Sequence, residues 1–229
     1  MSGAGGTPGG TPMNRIHRFA CAASSLVALL ALSACTGDGY GTAAIYSPLV
    51  EDEIRVIMPA NAPSISQQFR VAGNRGGRSN PSSFHEGIDI IARVGTPVIA
   101  AAPGRVTDSF MEPMYGNRVV IDHGVDATGR RTRTVYMHLD SRRVQPGMQV
   151  ARGQQIGTMG RTGILAAAIS HLHFEVHRTR GRRIVAPQDP HLFWADGVGR
   201  VTCFDPERPV DDGVFRTTYP VPCRESASR

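Results

Sequence analysis

The chain contains no lysine; all 25 of its basic residues are arginine. A compositional bias of the genome explains that absence more simply than a nucleic-acid surface does. The arginines are also scattered along the chain, without the clustered stripe that a nucleic-acid binder presents, so no nucleic-acid partner is expected. Internal repeats and heptads are lacking, as is any apolar run long enough for a membrane-spanning helix. Charged residues are a modest 19% of the chain, but the hydrophobic share of 41% is ordinary, which excludes a wholly disordered protein. Glycine and proline are plentiful instead, at 26 and 16 residues. They interrupt helices and favour a β-rich, loop-rich domain. A length of 229 residues suits one such domain with ends, and the net charge of +6 would help docking onto an anionic polymer.

The first part of the chain reads as a targeting segment. Residues 1–12 are a Gly/Thr/Pro stretch without periodicity, either a disordered start or an over-extended one ahead of Met13. Arg15, His17 and Arg18 form a short basic region, and Phe19 to Leu32 is apolar and small, as in an export signal. It closes on Leu32-Ser33-Ala34-Cys35, which resembles the lipobox of bacterial lipoproteins. That resemblance implies that residues 1–34 are removed, that Cys35 carries lipid, and that the protein is anchored to a membrane facing the periplasm. Two or more acyl chains suffice for stable anchoring. Thr36 is not an obvious inner-membrane retention residue, which favours the outer membrane.

Of four cysteines, Cys21 leaves with the signal and Cys35 is lipidated. Cys203 and Cys223 remain as a pair in an oxidising compartment, so a disulfide is expected between them. Residues 35–54 are small and polar and read as a linker, residues 55–195 as the main domain, and residues 196–229 as a disulfide-pinned C-terminal extension. Short β-rich runs separated by turns are expected at 55–58, 65–70, 88–92, 97–101, 105–110, 118–122, 133–138, 171–178 and 183–185, with a short helix only at 190–194. The spacing predicts antiparallel sheets, as a sandwich or an open barrel.

Three pieces carry chemistry. His85-Glu86-Gly87-Ile88-Asp89 is a near miss to the HExxH zinc helix, but Gly and β-branched Ile argue against a helix. On a straight strand His85 and Asp89 would stand roughly 13 Å apart, so a turn at Gly87 must bring His85 back. His171-Leu172-His173-Phe174-Glu175-Val176-His177 alternates polar and apolar residues as a half-buried strand does, with His171 and His173 about 7 Å apart on one face. Glu175 and His177 share that face farther along, His177 as a rim residue. Tyr136-Met137-His138-Leu139 reads as a strand end. Any one of these histidines alone would more often be structural; together they suggest a metal site.

These motifs, in this order, resemble those of the lysostaphin/LytM-like zinc peptidases. The intervening Gly95-Thr96-Pro97-Val98, Ala102-Pro103-Gly104-Arg105-Val106, Gly116-Asn117-Arg118-Val119, Gly153-Gln154-Gln155-Ile156-Gly157 and Gly160-Arg161-Thr162-Gly163 agree, so the resemblance spans roughly residues 58–190. It implies an all-β fold with an open groove across an antiparallel sheet, and one zinc ion held by His85, Asp89 and His173. His138 and His171 would flank the attacking water and share its deprotonation, charge stabilisation and proton donation to the leaving amine. Glu86 is disfavoured as the base. The implied activity is hydrolysis of peptide cross-links in peptidoglycan, with D-Ala–diaminopimelate bonds favoured over glycine bridges. The rival function is a non-catalytic regulator of another wall hydrolase, which would need a protein partner. The run Ile164-Leu165-Ala166-Ala167-Ala168-Ile169-Ser170 is more apolar than is usual in that family, which changes one groove wall.

Overall fold

The structure, a computed structural model, describes residues 39–43, 54–70, 84–180, 183–211 and 213–225. The expected signal segment at 1–34, the expected lipidation site Cys35 and most of the expected 35–54 linker lie outside them. Within the compact unit Asp38–Arg229 the described chain forms ten strands joined in one antiparallel sheet. In chain order they are β1 (Ile65–Gln67), β2 (Ile88–Ile91), β3 (Pro97–Ile99), β4 (Gly104–Glu112), β5 (Gly116–Val125), β6 (Arg131–Arg142), β7 (Gln149–Val150), β8 (Gln155–Met159), β9 (His171–Arg180) and β10 (Arg183–Gln188). The main path runs β1-β2-β9-β6-β5-β4-β7; β10 also pairs with β9, while β8 pairs with β3 and β6.

Long strands β5, β6 and β9 form the centre, where Val, Ile and Phe supply the shape and χ1 stiffness that suit a pleated surface. Their alternation sorts the two faces. Leu172, Phe174 and Val176 of β9, with Tyr136 and Leu139 of β6, are fully buried in the main core. Tyr136 and Phe174 pack with ring centroids 5.3 Å apart. The opposite face carries a small second cluster of Val120, Val135 and Met137 under Tyr115. Met137 is paired across the ladder with His173 and Val135 with Glu175, so this face also presents the histidines of β9.

Strands β7 and β8 were not among those expected from the sequence. Gly157 explains the weak signal in β8: a Cβ there would lie 2.4 Å from the Ser141 carbonyl oxygen, so close strand approach excludes larger residues. The short helix expected at 190–194 is a single 3-10 turn at Pro190–Leu192, started by Asp189, whose carboxylate accepts the His191 amide proton. The expected all-β, antiparallel architecture is present: among the described residues the strands join in one sheet, along which β6 pairs with β5, β9 and β8.

Residues beyond Ala195 enter the same core. Val201, Phe215, Tyr219 and Val221 are buried with Trp194, whose ring meets Tyr219 edge-on at 5.9 Å. A disulfide joins Cys203 and Cys223, with Cα atoms 5.9 Å apart. The bridge spans 20 residues, and in the chain-entropy picture a loop of that size contributes about 3 kcal/mol. Replacing both cysteines by serine is expected to lower the urea-unfolding free energy by about that amount while leaving the sheet intact by circular dichroism. An unchanged midpoint would mean that the apolar residues alone hold this segment.

Candidate metal centre

The register of β2 against β9 makes the centre. Asp89 lies directly opposite His173, and Ile88 and Ile90 opposite Phe174 and Leu172, so the apolar pairs face the core and Asp89 and His173 share the other face. His85 arrives from outside the ladder. Its backbone pairs with Arg70 through two hydrogen bonds of 2.9 Å, and the chain then turns through Gly87 into β2. A Cβ at Gly87 would sit 2.3 Å from the Phe174 carbonyl oxygen, so only glycine lets the backbone cross β9 here. His85 is thereby brought back over Asp89.

Three donor atoms converge. His85 Nε2 is 3.1 Å from Asp89 Oδ1, His173 Nδ1 is 2.8 Å from the same oxygen, and the two ring nitrogens are 3.1 Å apart. Among the described residues these three form the group that could hold a metal ion. Two imidazole nitrogens and one carboxylate oxygen are a borderline donor set that suits zinc, and three protein donors leave one position open. Glu86 is not part of the group.

The remote ring nitrogens are equally committed. His85 Nδ1–H donates to the Gln68 carbonyl at 2.8 Å, and His173 Nε2–H donates to Glu175 Oε1 at 2.9 Å. In the neutral form of each ring these bonds leave the lone pair on the opposite nitrogen, directed inward. His177 Nε2 in turn contacts Glu175 Oε2 at 2.6 Å, so His177 serves the carboxylate from the rim. Burial alone would raise the Glu175 pKa, but hydrogen bonds from His173 and His177 outweigh it and hold the pKa near about 2. Burial likewise opposes charge on His173, yet bonds to Asp89 and Glu175 win and lift it to about 9. Burial pushes Asp89 upward, but the two histidines hold it well below the usual carboxylate range.

Two further histidines flank the open side. The His138 ring lies tilted against that of His171, with centroids 4.7 Å apart, and 6.2 Å from the His173 ring. His171 Nε2 is 3.9 Å from Asp89 Oδ1. Strict alternation along β6 would turn His138 into the core beside Tyr136. It does not, because His138 has a φ of 61°, in the left-handed region, at the point where β6 leaves β9 and begins to pair with β8. Such a conformation costs of order 1–3 kcal/mol for a residue other than glycine and persists only when its surroundings enforce it. The Tyr115 carbonyl accepts the His138 amide at 3.0 Å, and Thr162 and Ile169 carbonyls accept Nδ1–H of His138 and His171 at 2.9 and 3.0 Å. With Nδ1 committed in both rings, Nε2 is the nitrogen left to act. Burial, with neighbouring histidine charges, pushes the His138 pKa down to about 4, so its ring is neutral at physiological pH.

The sequence singled out the five side chains that meet here, but not the acceptors that orient them. Glu175 was visible as a same-face neighbour of His173 in the alternating strand. The carbonyls of Gln68, Thr162 and Ile169 carry no residue signature at all.

Residues 83–187 match the model of Peptidase family M23. Peptidoglycan DD-endopeptidase ShyA of Vibrio cholerae serotype O1 is 39% identical over 102 residues, 44% of this chain and 22% of that protein. Murein hydrolase activator NlpD of Escherichia coli K12 is 36% identical over 101 residues, 44% of this chain and 24% of that protein. Among solved structures, the catalytic domain of the antimicrobial peptidase lysostaphin from Staphylococcus simulans is 27% identical, covering 55% of this chain and 87% of that one with a TM-score of 0.44. The matched segment spans about a fifth of the length of the first curated relatives.

Metal uptake must displace the proton that His173 holds in the metal-free protein up to about pH 9. Zinc affinity is therefore expected to rise about tenfold per pH unit from 7 to 9 and then level, measured by competition with a chromophoric chelator. The sign for the metal-free fold is opposite: stability from the raised His173 pKa is complete below the unfolded value and lost as pH rises through about 9. A zinc affinity independent of pH over that range would contradict the assignment of His173 as a donor.

Proposed function

We propose, from the premise that this chain carries a peptidase M23 domain over residues 83–187, that it is a zinc metallo-endopeptidase cutting peptide cross-links of bacterial peptidoglycan. The observation that carries this reading is the open His85/Asp89/His173 donor set with two more histidines, His138 and His171, beside it, each with Nδ1 already hydrogen-bonded. A regulator would need no such pair. Similarity to proteins named as peptidoglycan DD-endopeptidases favours the D-Ala–diaminopimelate bond over a glycine bridge.

His85, Asp89 and His173 would hold the zinc, and two neutral imidazoles with one carboxylate leave it a net positive charge. A zinc ion so held supplies Lewis acidity, polarising the scissile carbonyl and acidifying an attacking water. The protein's own residues do the rest. One of His138 and His171 accepts the water's proton at Nε2. The pair then steadies the charge that develops on the carbonyl oxygen and returns a proton to the leaving amine. Their Nδ1–H bonds to Thr162 and Ile169 keep both rings in the tautomer this requires. Glu175 holds His173 in its tautomer and orientation.

The lipobox-like Leu32-Ser33-Ala34-Cys35 supports an anchor at Cys35, placing the domain at the periplasmic face of the envelope, with the outer membrane favoured. A second reading follows from the similarity to an activator: a groove that binds and switches on another wall hydrolase, with no cleavage of its own.

Digestion of defined muropeptide dimers by the chain from residue 36, with and without a chelator, separates the two. Release of monomers that chelation abolishes and zinc restores is expected. His138→Ala and His171→Ala should each lower kcat by about 10²–10⁴-fold while retaining zinc. No release from a folded sample carrying one zinc would favour the activator.

A further inference from the structure

Asp89 and His173 are fixed by the β2–β9 register, but His85 stands outside that ladder, and its ring depends on one remote contact, Nδ1–H to the Gln68 carbonyl at 2.8 Å. What holds Gln68 therefore bears on the metal centre. Gln68 lies just beyond β1, and its side-chain Oε1 accepts a hydrogen bond of 2.7 Å from His191 Nε2, 123 residues away in sequence. The other nitrogen of His191, Nδ1, accepts the indole N–H of Trp194 at 2.9 Å. Indole nitrogen can only donate, which fixes the His191 tautomer with its proton on Nε2, pointing at Gln68. Each donor meets an acceptor and the bonds converge on Gln68: Trp194 donates to His191, His191 donates to the Gln68 side chain, and the Gln68 backbone accepts from His85.

This chain of bonds is enclosed. His191 is 2% exposed and Trp194 fully buried. The His191 backbone is held at both ends, its N–H by Asp189 Oδ1 at 2.9 Å and its carbonyl by the Gly199 amide at 2.8 Å. Trp194 packs on Tyr219, whose hydroxyl donates to the Pro63 carbonyl at 2.7 Å, two residues ahead of β1. Burial keeps the His191 ring neutral, with its pKa down at about 4. A buried neutral imidazole is more costly to place than phenylalanine or leucine unless both nitrogens are satisfied. Here both are, and the second bond leads to the metal donor.

We infer that His191 and Gln68 are positioning residues of the metal centre, which hold the His85 ring with Nε2 aimed at the metal, so that the segment after β10 completes the site from behind. The inference rests on the zinc-peptidase reading above. Neither residue touches the metal or the substrate; both act through His85.

Full-length wild type, Gln68→Leu, His191→Phe and the double variant would be titrated with zinc against a chromophoric chelator, and loaded with Co²⁺ to record the ligand-field spectrum. Melting of the metal-free proteins would be measured alongside. Each single variant is expected to weaken zinc binding about tenfold and shift the Co²⁺ bands, in line with losses on removing partners behind a ligand. The double variant should be little worse than either single one, because both break the same link. Unchanged zinc affinity and Co²⁺ bands in both variants, with lowered melting for His191→Phe, would make His191 an ordinary core residue and overturn the inference. If His191→Phe fails to fold, the half-buried Gln68→Leu decides alone. Failure of wild type itself to bind zinc would refute the zinc-peptidase reading, a result distinct from normal wild-type binding with unaffected variants.

Discussion

Asp89 and His173 face each other across β2 and β9, and the rest of the site is arranged around that pair. Because side chains alternate along a strand, a slip of one residue would carry Asp89 into the core and bring an isoleucine to the donor position. The apolar partners on the other face, Ile88 with Phe174 and Ile90 with Leu172, are all fully buried, so the core itself penalises such a slip. Core burial and donor placement are thus the same constraint seen from the two sides of one sheet.

The converging donors would be of little use if their rings could turn. Each of the four histidines at the centre has its outward nitrogen tied to a carbonyl or carboxylate: Gln68, Glu175, Thr162 and Ile169 in turn. Three of those acceptors are backbone atoms in segments flanking the strands. The loop between β8 and β9 supplies two of them, so its path sets the orientation of the His138 and His171 rings. His138 pays for its place with a left-handed backbone, where β6 exchanges one neighbouring strand for another. That exchange allows Met137 and His138 to present successive side chains to the site while Tyr136 and Leu139 remain in the core.

Much of this was legible in the sequence where side-chain pattern decides the outcome. The alternation from His171 to His177 reported both the strand and its two faces, and the need for a turn at Gly87 followed from the reach of an extended chain. Cys203 and Cys223 are joined, as expected from their pairing. The pattern was silent where the backbone acts. β7 is only two residues long, and β8 is interrupted at Gly157, where the Ser141 carbonyl takes the place of a side chain. The left-handed turn at His138 breaks the period that would have located it. His191 looked like part of a short helix, since nothing local in Asp189-Pro190-His191-Leu192 records a bond to Gln68 far back in the chain. Partners distant in sequence and acceptors without side chains leave no periodic trace.

Two imidazoles and one carboxylate from these three positions are expected to hold a single ion and leave it open to water. An anomalous-difference map at the zinc edge, from crystals grown with one equivalent of zinc, tests it most directly. One peak is expected, bonded to His85 Nε2, an Asp89 oxygen and His173 Nδ1, with non-protein density completing the coordination. A peak elsewhere, or a fourth protein donor closing the site, would contradict it.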